Sequence, residues 1–107
     1  MRKIYILNSP ILTNFGKYNF YPITIDKAKE ILSKNNFISA IGHETTAQFL
    51  SQLLECNISF NRIKIEMQKG DIAIVFQLKE RLPEGKILTE KELQNIKYNI
   101  AILEKIE

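Results

Sequence analysis

Ile72-Ala73-Ile74-Val75-Phe76-Gln77-Leu78 is the stretch whose reading decides the fold. It is apolar but for Gln77 and rich in β-branched residues. Seven residues are too few for an amphipathic helix, so the run reads as a central strand covered on both faces. Just before it, Arg62-Ile63-Lys64-Ile65-Glu66-Met67 alternates polar with apolar, the period of a half-buried strand. Gln68-Lys69-Gly70-Asp71 supplies turn residues between the two, and a hairpin is expected.

Working outward, Lys3 to Leu7 reads as a short buried strand stopped by Asn8-Ser9-Pro10. Asn8 to Tyr21 follows as a polar, aromatic loop, long enough to be a functional lid. Thr24 caps a helix to about Lys34, with Ala28, Ile31 and Leu32 on one face. Phe37 to Ile41 reads as another short strand, in which Ser39 and Ala40 allow close packing. His43 to Leu54 reads as a second helix with Ala47, Leu50, Leu53 and Leu54 inward; Thr45 and Gln48 have capping-box spacing, which allows a later start. Lys79 to Lys86 is a charged loop bounded by Pro83 and Gly85. Thr89 and Glu92 repeat the capping-box spacing and open a short third helix, and Tyr98 to Ile106 closes the chain as a strand. Helices interleaved with strands give an α/β fold, a mixed β-sheet flanked by helices, as one domain over residues 1–107.

Composition narrows the function classes. Hydrophobic residues are 45% and charged residues 25% of 107, which excludes a disordered chain. Lys and Arg total 15 against 12 acidic residues, a formal charge of +3, and only Arg2, Arg62 and Arg81 are arginines. That is too sparse for a duplex-DNA binder but suits a small anion such as a phosphodiester. Cys56 is alone, so neither an intrachain disulfide nor a cysteine zinc site is available, which fits a reducing cytoplasm. No apolar run is long enough for a signal peptide or a membrane span, and no membrane partner is expected.

The chain carries no P-loop, no dinucleotide-binding glycine pattern and no paired-histidine zinc helix. Asp26 and Asp71 are too few and too far apart in sequence to suggest a two-metal carboxylate site, so no metal and no cofactor are expected. One histidine stands in an informative place. Ile41-Gly42-His43 joins a strand to a helix start, where Gly42 permits close backbone approach and first-turn amides can hold an anion. Thr45 and Thr46 add hydroxyls. A lone histidine more often caps a helix or fills a surface than does chemistry. Arg81, in a charged loop, is either solvated or holds two phosphate oxygens with its planar fork. Arg62 reads as a surface strand residue able to line a pocket. Tyr5, Tyr18 and Phe20 are candidates for base stacking, although an aromatic in a short strand is usually core.

Four stretches taken together resemble a known family: Asn8-Ser9-Pro10, Ser39 to Thr46, Asn61-Arg62-Ile63, and Gln77 to Leu88 with its Arg81-Leu82-Pro83-Glu84-Gly85-Lys86 core. In the same order and over nearly the whole chain, they look like the small ring nucleases that viruses and mobile elements use as anti-CRISPR proteins against type III systems. The resemblance implies a two-fold homodimer that degrades cyclic tetra-adenylate without a metal in the host cytoplasm. It implies His43 as general acid, with Arg81 and Glu84 beside it as catalytic residues. It implies ligand contacts from Asn8, Arg62 and Gln77, which would join those read from the helix start at Gly42, Thr45 and Thr46. Ile11 stands where viral members carry a loop serine, so Ser9 or Thr13 would supply that hydroxyl. The loop is similar to the shorter form in members from bacterial mobile elements. Two other classes compete on sequence: a non-catalytic protein binding a cyclic nucleotide or short RNA, and a small interaction protein acting on a host protein.

Overall fold

A computed structural model describes residues 3–8, 14–79 and 90–107. Its elements in chain order are β1 (Ile4–Leu7), β2 (Tyr18–Pro22), α1 (Ile25–Lys34), β3 (Ile38–Ser39), α2 (Glu44–Leu54), β4 (Ile72–Leu78), α3 (Glu90–Asn95) and β5 (Tyr98–Lys105). They form a five-stranded sheet of order β2-β5-β4-β1-β3. β1 runs parallel to β4 on one side and to β3 on the other, while β5 is antiparallel to both β4 and β2. The mixed α/β fold expected from the sequence is the fold observed.

The two faces are covered differently. α1 and α2 lie on the same face, where Ala28, Leu32, Ala47, Phe49, Leu50 and Leu54 pack on Ile6, Ile74, Phe76 and Ile100. Phe49 and Phe76 meet with ring centroids 5.4 Å apart, and Phe76 stacks on Tyr98 at 5.0 Å. The opposite face carries Tyr5, Leu7, Ala73, Val75 and Leu103, and it is covered by Ile65 and Met67. β1 is buried along its whole length, as a strand covered on both faces must be.

The expected hairpin is not formed. β4 takes β1 and β5 as its ladder partners, and Arg62 to Met67 lies outside the named strands. The alternation was a true report of burial, since Ile65 and Met67 are inward and Lys64 and Glu66 outward. It reported a segment lying across the sheet face rather than one paired at its edge. Tyr18 to Tyr21, read as loop, belong to edge strand β2, whose burial is too slight to give a periodic signal. The strand read as Phe37 to Ile41 is reduced to Ile38–Ser39 with an isolated parallel bridge between Ile41 and Phe60. The Thr24 cap forms, its hydroxyl accepting from the Lys27 amide at 3.1 Å. α2 starts at Glu44 with His43 as its N-cap residue, so the Thr45–Gln48 spacing is not used as a capping box. Thr89 lies outside the described residues.

Asp71 fastens the covering segment to the sheet. Its carboxylate, 2% exposed, accepts from the Lys3 amide at 3.0 Å and the Gln68 amide at 2.8 Å. Asp71→Ala orphans both donors, at about 1–3 kcal/mol each. We expect a fall in the thermal midpoint of about 4–8 °C per kcal/mol, measured by scanning calorimetry, with Asp71→Asn recovering part of it.

Burial pushes the Tyr5 hydroxyl above its ordinary pKa, and the Asp71 charge adds to the rise. The folded value exceeds the unfolded one, so this contribution is intact below about pH 10 and is lost as pH rises through the folded value. Tyr5→Phe should flatten the alkaline limb of the stability profile, read from urea midpoints between pH 8 and 11.

Candidate functional site

Three parallel strands point their carboxyl ends at one edge of the sheet. The registers Leu7↔Val75 and Ile6↔Ser39 put the residues just beyond β1, β3 and β4 side by side. Asn8 follows β1, Ile41-Gly42-His43 follows β3, and Gln77 sits near the end of β4. In open α/β sheets this edge is where ligands bind, because strand ends and helix starts leave backbone groups unpaired there.

His43 occupies the N-cap position of α2 in extended backbone (φ −133°, ψ 127°), and its side chain makes no capping hydrogen bond. Its carbonyl accepts from the Ala47 amide at 3.0 Å, so the backbone is fixed while the imidazole stays exposed. The eleven-residue α2 thus presents first-turn amides without a side-chain cap, beside a histidine not used for capping. Gly42 and Thr45 are half-buried; Thr46 is buried, at 6% exposed.

Arg62 reaches this corner by a chain of side-chain clamps. After α2, Glu55 takes a left-handed conformation (φ 54°) and ends the helix. The Ser51 hydroxyl donates toward the carbonyls of Ala47 (2.8 Å) and Ile58 (3.1 Å) and accepts from the Ile58 amide (2.9 Å), folding the chain back. Ser39 then donates to the Ser59 carbonyl at 2.6 Å. The Asn61 carboxamide donates to the Ser39 carbonyl at 2.7 Å, and its backbone amide donates to the Ile41 carbonyl at 3.0 Å. Arg62, exposed, is thereby laid against Gly42: a Cβ added there would sit 3.7 Å from the Arg62 Cγ. That is ordinary contact distance, so alanine fits at position 42 and larger side chains displace Arg62. Nothing in local periodicity marked Asn61; its role is set by a partner 22 residues away.

The structure therefore gathers Asn8, Gly42, His43, Thr45, Arg62 and Gln77 around one edge. Ser9, Thr13, Arg81 and Glu84 lie outside the described residues. Of the aromatic candidates, Tyr5 is core, Tyr18 is half-buried with its hydroxyl donating toward Asn14, and Phe20 is 53% exposed on edge strand β2. A cavity of about 660 Å³ runs along the outer side of α2, lined by Glu44, Gln48, Gln52 and Phe60 among others. It begins one residue from His43 but takes in neither Arg62 nor Gln77. Burial raises the Cys56 thiol pKa, which disfavours its thiolate. Among the described residues no group of three or more His, Cys, Asp or Glu is placed to hold a metal ion, and no helix is long and apolar enough to cross a membrane.

If Asn61 holds Arg62 in place, Asn61→Ala should speed amide hydrogen exchange at Asn61 by roughly tenfold, the loss of about one net hydrogen bond. The Ala28 amide of α1 should keep its protection. Exchange followed by NMR reads both.

Residues 4–100 match the family model described as STIV B116-like. The chain is 43% identical over 108 residues to uncharacterized protein 26 of a Sulfolobus islandicus filamentous virus, covering 96% of this chain and 92% of that one. It is 37% identical to the uncharacterized protein YddF of Bacillus subtilis, over 98% of this chain and 99% of that one. Among solved structures, B116 of Sulfolobus turreted icosahedral virus superposes with a TM-score of 0.82, over 95% of this chain and 98% of that chain, at 24% identity. That likeness is one of fold.

Proposed function

The chain belongs to the STIV B116-like family, and we propose that it is a metal-independent ring nuclease that opens cyclic tetra-adenylate and so acts as an anti-CRISPR protein against type III systems. One observation carries the reading. An exposed histidine at an N-cap position, free of any capping bond, shares a sheet edge with Asn8, Gly42, Arg62 and Gln77. Anion-holding amides, a cation and a proton donor in one place suit a phosphodiester.

RNA brings its own nucleophile. The ribose 2′-oxygen attacks the adjacent phosphorus, forming the 2′,3′-cyclic phosphate, and the bond from phosphorus to the 5′-oxygen breaks. His43 gives its proton to the departing 5′-oxygen, and the 2′-hydroxyl proton passes to solvent. Holding attacking oxygen, phosphorus and leaving oxygen in line supplies much of the acceleration, and the acid supplies about 10²–10⁴-fold. Arg62 steadies a phosphate beside Gly42. Arg81 and Glu84 are assigned to the phosphoryl oxygens and the leaving group through the family resemblance.

A cyclic tetranucleotide has two-fold symmetry, which a homodimer matches through an isologous interface. Two copies of His43 would then open opposite phosphodiesters and release two linear di-adenylates ending in 2′,3′-cyclic phosphate.

Incubation of labelled cyclic tetra-adenylate with the protein and a chelator should yield these di-adenylates. His43→Ala should slow the reaction at least a hundredfold while the ring still binds. A ring of 2′-deoxyadenylates should bind without being cut. Cleavage of the deoxy ring, or unaltered cleavage by His43→Ala, would reject the mechanism. Tight binding with no product from the wild-type protein would mark a non-catalytic binder instead.

A further inference from the structure

The sheet face opposite the helices is apolar along most of its length and then changes character. Ala73, Val75, Leu7 and Leu103 are covered there by Ile65 and Met67. By the pleat, the next residues on that face are Gln77 in β4 and Asn99 in β5. They are direct cross-strand partners, and both are exposed. β2 ends at Pro22, opposite Ala101, and its chain bonds β5 once more, the Ile23 amide donating to the Ile100 carbonyl at 3.1 Å, before turning into α1 and leaving the Asn99 side chain exposed. Among the described residues neither carboxamide has a hydrogen-bond partner. The ladder continues one rung further, the Lys79 amide donating to the Lys97 carbonyl at 3.0 Å, which puts exposed Lys79 on the same face.

Asparagine is disfavoured in strands, so its place opposite another carboxamide calls for a reason other than sheet stability. A carboxamide offers a donor and an acceptor side by side. Adenine presents the complement, the N6 amino donor beside the N7 acceptor, whereas a 6-oxo purine presents two acceptors. β5 lies three interstrand steps, about 14 Å, from β3, the strand that leads into Gly42. That separation suits a base held away from the phosphodiester that Arg62 steadies.

We infer that the Gln77–Asn99 rung is a base-reading subsite that recognises the amino edge of adenine, with Asn99 as a specificity-determining residue. The inference rests on the ring-nuclease reading and adds the source of its base preference. Asn99 selects between rings by the base they carry and takes no part in the phosphoryl chemistry.

The test is calorimetric titration with two uncleavable probes, cyclic tetra-2′-deoxyadenylate and cyclic tetra-2′-deoxyinosinate. Wild type should bind the adenine ring about tenfold or more tighter than the inosine ring. Asn99→Ala should bring the two within about threefold, chiefly by weakening the adenine ring, with an unchanged thermal midpoint because the side chain is exposed and unbonded. Asn99→Ala that keeps the full adenine preference would overturn the inference and leave the nuclease reading standing, as would a wild type that binds both rings equally. A wild type that binds neither deoxy ring, and neither binds nor cleaves cyclic tetra-adenylate, would overturn both.

Discussion

Everything in this molecule depends on four residues, Ile4–Leu7, being laddered on both sides by parallel strands and covered on both faces. The strand is too short to hold itself: four residues of β-structure have few hydrogen bonds and no local turn to close them. Burial supplies what length does not. Ile6 is fully enclosed beneath the helices, while Tyr5 and Leu7 are closed off by Ile65 and Met67. Because β3 and β4 run the same way as β1, all three strands finish at one edge. An antiparallel neighbour would have scattered Asn8, His43 and Gln77 to opposite ends of the sheet. The parallel pairing gathers them, and it exists only because the chain returns twice through helices on a single face.

How far the sequence discloses this follows from the range of each interaction. The Thr24 cap, the inward stripe of α2 and the apolar run of β4 are legible because their causes lie within a few residues. The covering segment was half-legible. Alternation in Arg62 to Met67 reports that one side meets apolar surface, and that is true of Ile65 and Met67. It cannot say whether the backbone of that segment joins a ladder, because side-chain period and backbone pairing are separate matters. The neighbour that β4 takes in place of the hairpin is β1, nearly seventy residues earlier, held by the Asp71 bond to the Lys3 amide. No window along the chain contains both.

The candidate site divides the same way. Gly42 and His43 announce themselves because a glycine before a histidine at a strand-to-helix junction has a local meaning. Arg62 alone does not: its place beside Gly42 comes from serine and asparagine side chains bonding to backbone carbonyls across a long loop. Such bonds leave no periodic trace. Ser39 is 6% exposed, yet what it contributes is a hydroxyl that holds Ser59 and a carbonyl that holds Asn61. Smallness was the visible property, and hydrogen bonding is the one that matters.

The unequal cover of the two faces connects fold to recognition. A helix pair can blanket a whole sheet face, but an extended segment of a few residues cannot. Ile65 and Met67 close the part of the opposite face near Asp71, and among the described residues nothing apolar covers the strand ends beyond them. Apolar residues placed there would form an exposed patch and a liability for association. Polar residues there cost little, since the ladder beneath is already formed by backbone. The sheet can therefore carry Gln77 and Asn99 at its open end without loss of core, on the same edge as the corner where Arg62 meets Gly42 but two strands or more away from β3. Stability is drawn from the buried rungs of β1 and β4, and the polar rung beyond them is free of that duty, so a change at Gln77 or Asn99 leaves the core packing as it is.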